Sequence, residues 1–237
     1  MPTSSEKRIV VSKGGPFIVY GKVPLSVWVS VPDEDGFPWD WKEGKSFEVE
    51  EEYQLCRCGG SNDKPFCDLT HERMRFKGKE AASRLPFSDF ASNFVGPTLI
   101  LSDAEELCSL ARFCDAKGGI WRLNTKSGDP LARELVIREA NNCPAGRLVV
   151  RDRKTDMEIE KKLPPSIGVL EDTDLGLSGP LWVRGGIRIE SHDGKPYEVR
   201  NRVTLCRCGA STNKPLCDRT HIDIEFKDGI IEFDSAK

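Results

Sequence analysis

A sixteen-residue stretch occurs twice in the chain and constrains its fold and chemistry more than any other feature. The two copies, Cys56–His71 and Cys206–His221, are identical at eleven of their sixteen positions. Each contains three cysteines and one histidine, with one, eight and three residues between successive members. Thiols and an imidazole grouped this closely are typical metal ligands. We predict two sites: the first site comprises Cys56, Cys58, Cys67 and His71, and the second site comprises Cys206, Cys208, Cys217 and His221.

Composition and charge limit the classes of protein to which the chain can belong. The 237 residues carry a net charge of -3, with a pI of about 5.8 and a mean hydropathy of -0.43. Binding to a nucleic-acid backbone requires clustered Lys and Arg, so we do not expect nucleic acid as a partner. The sequence has neither a signal-peptide pattern nor the run of about 18 apolar residues that spans a membrane. We therefore expect a cytoplasmic protein without a membrane partner.

The nine cysteines fall into three sets of three, one in each copy of the repeat and one between the copies. The middle set consists of Cys108, Cys114 and Cys143. An odd number of cysteines cannot pair completely as disulfides within one chain, and the sequence gives no sign of secretion. We therefore interpret the cysteines as metal ligands, in preference to the disulfides of a secreted protein.

The pattern of apolar residues predicts an α+β protein with three parts. Residues 1–79 and 179–237 contain short strand signals broken by Gly and Pro, which predicts two small β units. Residues 80–178 alternate between helix and strand signals and predict a separate α/β module. Matching Gly-Pro strands begin both β units, but the first copy has fourteen extra residues before its ligands. These lie near Val31–Trp41, which is rich in proline and acidic residues and which we predict to be a loop.

Local patterns place further elements around the ligands. Predicted strands lead into the first cysteine of each site, at residues 46–50 and 197–205, and others follow each histidine, at residues 74–76 and 222–226. In the middle we predict strands at residues 98–101, 119–123 and 147–150. A capping-box pattern predicts a helix at residues 102–113, and Asp129 followed by Pro130 predicts a helix that continues to about residue 140.

Three thiols and an imidazole can bind either one zinc ion or an iron-sulfur cluster. Zinc loops usually separate their first two ligands by two to four residues, whereas only one residue does so in both copies. Cys-x-Cys suits two thiolates on one iron of a 2Fe-2S cluster, with the later cysteine and the histidine on the other iron. The spacing therefore favours 2Fe-2S, and a zinc-stapled β module without a redox role is the alternative.

The same residues resemble the CDGSH iron-sulfur domain family, the mitoNEET-like proteins. The shared pattern is Cys-x-Cys, then a serine at Ser61 or Ser211, then Pro-x-Cys-Asp and a histidine. The resemblance implies that each site binds one 2Fe-2S cluster through its three cysteines and its histidine. This sequence departs from the family at Leu69 and Arg219, where the family has glycine. Because only glycine adopts positive φ at little cost, the backbone there is either ordinary α or strained.

The middle set resembles the ligands of small bacterial-type ferredoxins, in which Cys-x2-Cys-x2-Cys is completed by a distant Cys-Pro. Ala111 stands where such ferredoxins have their middle cysteine, and Cys143 is followed by Pro144. The resemblance implies a 3Fe-4S cluster, or a 4Fe-4S cluster with a non-cysteine ligand, for which Asp115 is a candidate. The segment also resembles the divergent mono-cluster ferredoxin module found beside CDGSH motifs. The alternative is that the three cysteines are buried apolar residues.

These resemblances imply a protein of electron transfer, or of cluster storage and transfer, with a redox or cluster-acceptor protein as its partner. Family members with two motifs form their pair internally, so we expect a monomer whose β units pack around a pseudo-two-fold axis beside a ferredoxin-like module. The sequence has no Ser-His-Asp order, phosphate loop or paired-carboxylate motif, which argues against an enzyme acting alone. A zinc-binding structural module and a redox component of an oxidoreductase complex are the alternatives.

Overall fold

Strands dominate both repeated regions of the computed structural model, which describes residues 6–232. The first region contains β1 (Arg8–Val11), β2 (Phe17–Tyr20), β3 (Leu25–Pro32), β4 (Pro38–Phe47), β5 (Glu52–Leu55) and the short helix α1 (Thr70–Arg73). The middle module, residues 92–152, contains β6 (Ser92–Val95), β7 (Leu99–Asp103), α2 (Ile120–Asn124), α3 (Pro130–Asn142) and β8 (Leu148–Asp152). The last region contains β9 (Ser166–Asp172), β10 (Leu177–Arg184), β11 (Arg188–Ser191), β12 (Arg202–Leu205) and α4 (Thr220–Asp223). Mixed sheets with few helices agree with the predicted α+β class.

The two repeated regions contribute strands to each other's sheets. One sheet has the order β11-β1-β2-β5, and the other has the order β12-β10-β9-β3-β4. In the first sheet β11 pairs in parallel with β1, and in the second sheet β3 pairs in parallel with β9. Both sheets therefore cross between the repeats through main-chain hydrogen bonds. β9 lies in the five-stranded sheet, although its residues fall within the range 80–178 that the sequence assigns to the middle part.

The core between these sheets is built from both repeats. Alternate residues of β1 and β2 point into it, which is the burial pattern of a strand with one covered face. Each buried Val, Leu, Ile or Phe side chain contributes about 1.5–3 kcal/mol to the free energy of unfolding. The most buried members are Val11, Phe17, Val19, Val23, Ile167, Val169 and Leu205.

The fourteen extra residues of the first repeat form a β-hairpin, so the predicted loop near Val31–Trp41 is wrong beyond its turn. Asp33 forms the turn, because its carboxylate accepts the backbone amides of Asp35 and Phe37 at 2.9 and 3.0 Å. β4 then pairs with β3 and carries Trp41, whose indole N–H donates to the carbonyl of Asn142 at 2.9 Å. The hairpin thus fastens the first repeat to the middle module.

The middle module is a three-stranded sheet of order β6-β7-β8 with α2 and α3 packed on it. α3 begins as predicted, since Asp129 accepts the backbone amide of Ala132 at 2.9 Å. The predicted helix at residues 102–113 is wrong, because Ser102 and Asp103 pair with β8 and end β7. The predicted strand at residues 119–123 is wrong because this segment is α2, a case in which a short apolar run does not distinguish helix from strand. None of the helices in residues 6–232 has the length and apolar composition needed to span a lipid bilayer.

Candidate metal centres

A short strand delivers the first cysteine of each site. β12 ends immediately before Cys206, as predicted, whereas Cys56 follows β5 and not the predicted strand at residues 46–50. The backbone amide of Cys56 then donates to the carbonyl of Pro65 at 2.8 Å, and that of Cys206 donates to Pro215 at 2.9 Å. These bonds fold the sixteen-residue stretch back on itself in the same way in both copies.

The four candidate ligands of each site group in twos. The sulfur atoms of Cys56 and Cys58 are 3.8 Å apart, and Cys67 Sγ lies 3.3 Å from His71 Nδ1. The corresponding distances in the second site are 3.6 Å between Cys206 and Cys208, and 3.4 Å between Cys217 Sγ and His221 Nδ1. Two sulfur atoms bound at about 2.3 Å to one tetrahedral ion are about 3.8 Å apart. Each pair therefore spans one edge of a tetrahedron, as two ligands of one iron do.

A single zinc ion would bring all four ligands of a site to one tetrahedral centre, whereas the ligands here are grouped in two pairs. Within residues 6–232, no group of three or more Cys, His, Asp or Glu side chains is placed to hold one metal ion. All nine cysteines of the chain are free thiols. The pairs thus fit a two-iron cluster, in which each iron takes two protein ligands.

Each histidine lies in a short helix, and the strand predicted after it does not form. His71 lies in α1 and His221 lies in α4, and the chain turns directly after each helix. The backbone amide of Phe76 donates to the carbonyl of His71, and that of Phe226 donates to His221, at 2.9 Å each. The strands predicted at residues 74–76 and 222–226 are therefore wrong, since these backbone groups return to the helix that holds the ligand.

An aspartate next to the third cysteine fixes the start of each helix. Asp68 accepts the backbone amides of Thr70 and Asn62, each at 2.9 Å. These two amide hydrogen bonds hold the pKa of the Asp68 carboxyl well below its usual range. Asp218 makes the equivalent contacts in the second site.

Leu69 and Arg219 adopt the left-handed backbone conformation for which glycine is best suited, with φ of 65° and 69°. For a residue with a side chain this conformation costs about 1–2 kcal/mol. The strained alternative of the sequence prediction is therefore the one observed. The amide of Arg219 donates to Cys217 Sγ at 3.4 Å, which gives the conformation a use at the site.

Replacing Leu69 or Arg219 with glycine is expected to raise the free energy of unfolding by about 0.5–1 kcal/mol, because relief of strain exceeds the added entropy of the unfolded chain. Urea denaturation of the two variants measures this change. The matched control is Glu72→Gly in α1, where glycine should lower stability by about 1 kcal/mol. A loss of stability in both Leu69→Gly and Arg219→Gly would contradict the account.

A buried arginine, which the sequence interpretation missed, occupies the centre of Cys-x-Cys in both sites. Arg57 Nε donates to the carbonyl of Gly15 at 2.7 Å, and Arg207 Nε donates to that of Gly179 at 2.6 Å. Gly15 lies just before β2 and Gly179 lies within β10, so each arginine ties its ligand loop to the matching Gly-Pro segment. The remaining bonds of Arg57 go to the carbonyls of Ser12 and Gly78. The signal for this role is Cys-Arg-Cys itself, since both copies carry the arginine.

The two arginines differ in the charge around them. Arg207 also contacts Glu171 Oε1 at 2.7 Å and forms an ion pair with Asp228, and both acids have fully buried side chains. Burial raises the pKa of Glu171, while the charge of Arg207 opposes that shift. Each hydrogen bond that Arg57 makes within residues 6–232 goes to a backbone carbonyl. Two buried acids therefore contact the arginine of the second site, whereas no carboxylate within residues 6–232 forms a hydrogen bond with the arginine of the first.

The cysteine–histidine half of the second site is also more deeply buried than the cysteine–histidine half of the first site. Cys217 and His221 are only 2% and 4% exposed, whereas Cys67 and His71 are half-buried. The middle module covers the second site, since Asn213 donates to the carbonyl of Glu106 at 3.4 Å and His221 lines a cavity with residues 109–111. The cysteine–histidine half of the first site is thus the more accessible, whereas in the Cys-x-Cys halves Cys58 is buried and Cys208 is half-buried.

Burial controls the protonation of the thiols. It raises the pKa of Cys58, Cys67 and Cys217, and the charge of Cys206 adds to the shift of Cys217. The two thiols of the Cys206–Cys208 pair shift in opposite directions. The hydrogen bond from Cys208 lowers the pKa of Cys206 to about 6, and the same bond raises the pKa of Cys208. A metal that binds here must displace protons from the other thiols, so binding releases acid.

The middle set comes from two parts of the module: Cys108 and Cys114 lie in the irregular segment between β7 and α2, and Cys143 directly follows α3. The amide of Leu110 donates to Cys108 Sγ at 3.4 Å, and left-handed conformations at Leu110 and Arg112 curve the loop around the sulfur. Burial raises the pKa of Cys114, and the charges of Asp115, Cys143 and Cys108 add to it. Cys114 and Cys143 pack against the same hydrophobic core. Hydrogen bonds to cysteine sulfur, such as that from Leu110, are a feature of iron-sulfur sites.

The middle set is connected to the second site. Arg202, in the strand that leads to Cys206, donates to the carbonyl of Cys143 at 2.7 Å. Burial and Cys206 are the main causes of the raised pKa of Cys217, and the charge of Cys108 contributes as well. The strand that leads to Cys206 is therefore tied to the segment that carries Cys143.

The two repeated sites contact each other reciprocally. Side-chain atoms at Gly59 would clash with the carbonyl of Cys208, and side-chain atoms at Gly209 would clash with the carbonyl of Cys58. The pattern recurs in two cation–ring contacts at 5.9 Å, of Lys64 with Phe226 and of Lys214 with Phe76. Equivalent residues thus exchange equivalent contacts, as they do across a two-fold axis.

Comparison with known proteins agrees with the two kinds of ligand set. A family model described as an iron-binding zinc finger of CDGSH type matches residues 14–72 and again residues 178–222. A second, described as a divergent 4Fe-4S mono-cluster, matches residues 94–153. Comparison with curated proteins and with solved structures gave no significant match.

Proposed function

Since the chain is an iron-sulfur protein with two CDGSH segments and one divergent mono-cluster segment between them, we propose that it transfers electrons in the cytoplasm. In this proposal the first and second sites each hold a 2Fe-2S cluster, and the middle set holds a cluster of three or four irons. The pairing of ligands in twos, at 3.3 to 3.8 Å, carries the proposal for the 2Fe-2S sites. Bound clusters of these types accept and return single electrons.

The protein's own residues prepare these sites for a charged group. Arg57 and Arg207 hold the Cys-x-Cys loops in place by bonding to strand carbonyls. The amide of Gly60 donates to Cys58 Sγ, and the amide of Arg219 donates to Cys217 Sγ, each at 3.4 Å. Donors of this kind stabilise thiolate charge without moving when an electron arrives.

The two CDGSH units form a pseudo-two-fold pair within one chain, with the ferredoxin-like module beside it. Strand exchange in both sheets supports this part of the proposal, because β11 joins the sheet of β1 as β3 joins the sheet of β9. The reciprocal contacts of Gly59 and Gly209 support it as well. The chain thereby acts as a monomer whose internal pair takes the place of a homodimer.

Clusters bound at the three sites would pass electrons in the order middle set, second site, first site. The hydrogen bond from Arg202 to the carbonyl of Cys143 supports the first step, because it ties the strand before Cys206 to the segment that carries Cys143. The close approach of Gly59 to the carbonyl of Cys208 supports the second step. The buried acids that contact Arg207 would disfavour added negative charge at the second site and so favour the first site as the electron acceptor.

Delivery of a cluster to another protein is the second candidate function, and the exposure of the first site favours it. Leu69 and Met74 are both 56% exposed beside the half-buried ligands Cys67 and His71. Apolar side chains around an accessible site suit docking of an acceptor protein. Electron transfer and cluster transfer therefore use the same face of the chain.

Protein purified without oxygen is expected to be coloured and to contain iron and acid-labile sulfide. Cys56→Ser and Cys206→Ser should each lose roughly two iron atoms, because each removes one ligand from one 2Fe-2S cluster. Iron and sulfide analysis with a visible absorption spectrum measures both results. The control is His192→Gln, at an exposed position outside the sites, which should keep its iron. Colourless protein with stoichiometric zinc would overturn the proposal in favour of a structural zinc module.

A further inference from the structure

The middle set provides three thiols, whereas a 4Fe-4S cluster has four irons that each need a ligand outside the cluster. The three cysteines therefore leave one iron without a protein ligand. We propose that the carboxylate of Glu139 is the fourth ligand, so that the middle module binds a 4Fe-4S cluster through three sulfur atoms and one oxygen. This inference rests on the proposed function, since it requires a cluster at the middle set.

Glu139 is a buried acid that has no partner of its own. It is only 2% exposed, and neither carboxylate oxygen has a hydrogen-bond partner within residues 6–232. Burying a polar group without a hydrogen bond costs several kcal/mol, and burying an unpaired charge costs more. A buried carboxylate without a hydrogen-bond donor among the described residues is able to bind a group from outside the chain. A metal ion is a partner of this kind, since carboxylate oxygen is an established ligand of iron.

The helix places this carboxylate on the side of the middle set. Glu139 and Ala140 lie on the buried face of α3, and Cys143 follows Glu139 by four residues, which is one helical turn. Ala140 belongs to the core against which Cys114 and Cys143 pack. α3 also packs on the 3₁₀ helix Phe113–Gly118, which carries Cys114. Two elements that carry ligands therefore meet at the face on which Glu139 lies.

The electrostatic environment of Glu139 points to the same neighbourhood. Burial raises the pKa of its carboxyl to about 8, and the charge of Asp115, next to Cys114, adds to the shift. A carboxyl whose pKa is raised in this way is mostly protonated at neutral pH in the absence of metal. Binding an iron would displace its proton, as binding displaces protons from the thiols of the set.

The other acids near the middle set are less suitable. Asp115 is exposed to solvent, and its carboxylate lies 3.7 Å from Cys114 Sγ in the same short segment. Asp103 is buried, but Arg147 binds both of its oxygens at 2.6 and 2.9 Å. Glu139 is thus preferred to the Asp115 ligand that the sequence suggests.

The test is Glu139→Gln in the full chain, purified anaerobically, with iron content and electron paramagnetic resonance as readouts. Glutamine keeps the shape but is a much poorer iron ligand, so we expect loss of one iron and appearance of the signal of an oxidised three-iron cluster. Glu139→Cys supplies a thiolate instead and should retain the four-iron cluster. The matched control is Glu134→Gln, at an exposed position of the same helix, which should behave as the wild type does.

The outcomes separate this inference from the proposed function. A four-iron cluster that is unchanged in Glu139→Gln would overturn the ligand assignment and leave the cluster in place. A three-iron signal in the anaerobic wild type would also overturn it. Wild-type iron sufficient only for the two CDGSH sites would overturn both the ligand and the middle cluster. If Glu139→Gln does not fold, the spectrum of Glu139→Cys still decides: a thiolate that replaces the carboxylate on the cluster changes the spectrum at unchanged iron content, whereas a spectrum identical to that of the wild type would overturn the assignment.

Discussion

Replacement of Arg207 with methionine is expected to lower the free energy of unfolding by about 3–5 kcal/mol, since it leaves two buried acids unpaired. Glu171 and Asp228 have fully buried side chains, and the guanidinium of Arg207 contacts both. The same group also bonds to the carbonyls of Gly179 and Leu170. Methionine fills part of the volume but provides neither the charge nor the donors. Urea denaturation of the variant measures the loss.

The first site provides the matched control for this prediction. Arg57→Met removes hydrogen bonds to backbone carbonyls. Within residues 6–232 it deprives no carboxylate of a hydrogen-bond partner. We expect this variant to lose about 1–3 kcal/mol, which is less than Arg207→Met loses. The triple variant Arg207→Met, Glu171→Gln, Asp228→Asn should recover part of the stability, because it removes the unpaired charges. Equal losses in the two single variants would contradict the charge asymmetry between the sites.

The repeated ligand pattern could be predicted from sequence because ligand chemistry restricts residue type and spacing together. The structure brings Cys56 to Cys58 and Cys67 to His71 as the spacing suggested, with the same grouping in the second copy. The start of α3 was also predictable, since Asp129 and Pro130 act through local backbone geometry alone. Signals that depend on a few neighbouring residues are therefore the ones that sequence conveys well.

Features that depend on distant residues were not predictable in this way. The exchange of β3 and β11 between sheets is a pairing across more than a hundred residues, and the pattern of apolar residues carries no information about partners. The strand expected at residues 119–123 became α2 because tertiary packing decides short apolar runs. Nothing in the sequence around Glu139 marks it, and its burial without a hydrogen-bond partner among the described residues is what distinguishes it. Sequence thus indicates candidate ligands more readily than it indicates their surroundings.

The metal-free protein is expected to lose about 2–4 kcal/mol of stability through His221 as the pH falls from 6.5 to 4. Burial is the main cause that lowers the pKa of this imidazole to about 4, and the charge of Arg207 lowers it further, against the opposing effect of Asp218. The folded chain therefore keeps His221 neutral in a range where the unfolded chain binds a proton. Stability is complete above pH 6.5 and falls as the pH drops, because protons favour the unfolded state.

Denaturation of chelator-treated protein at a series of pH values measures this dependence, with His221→Gln as the control because glutamine does not titrate. Carboxyls such as Asp218 also titrate in acid, so the informative quantity is the difference between wild type and His221→Gln at each pH. That difference should change between pH 6.5 and 4 and be constant above pH 7. A difference that does not vary with pH would contradict a buried, neutral His221. Because an imidazole binds metal in its neutral form, the same burial keeps His221 in the protonation state that a ligand needs at mildly acidic pH.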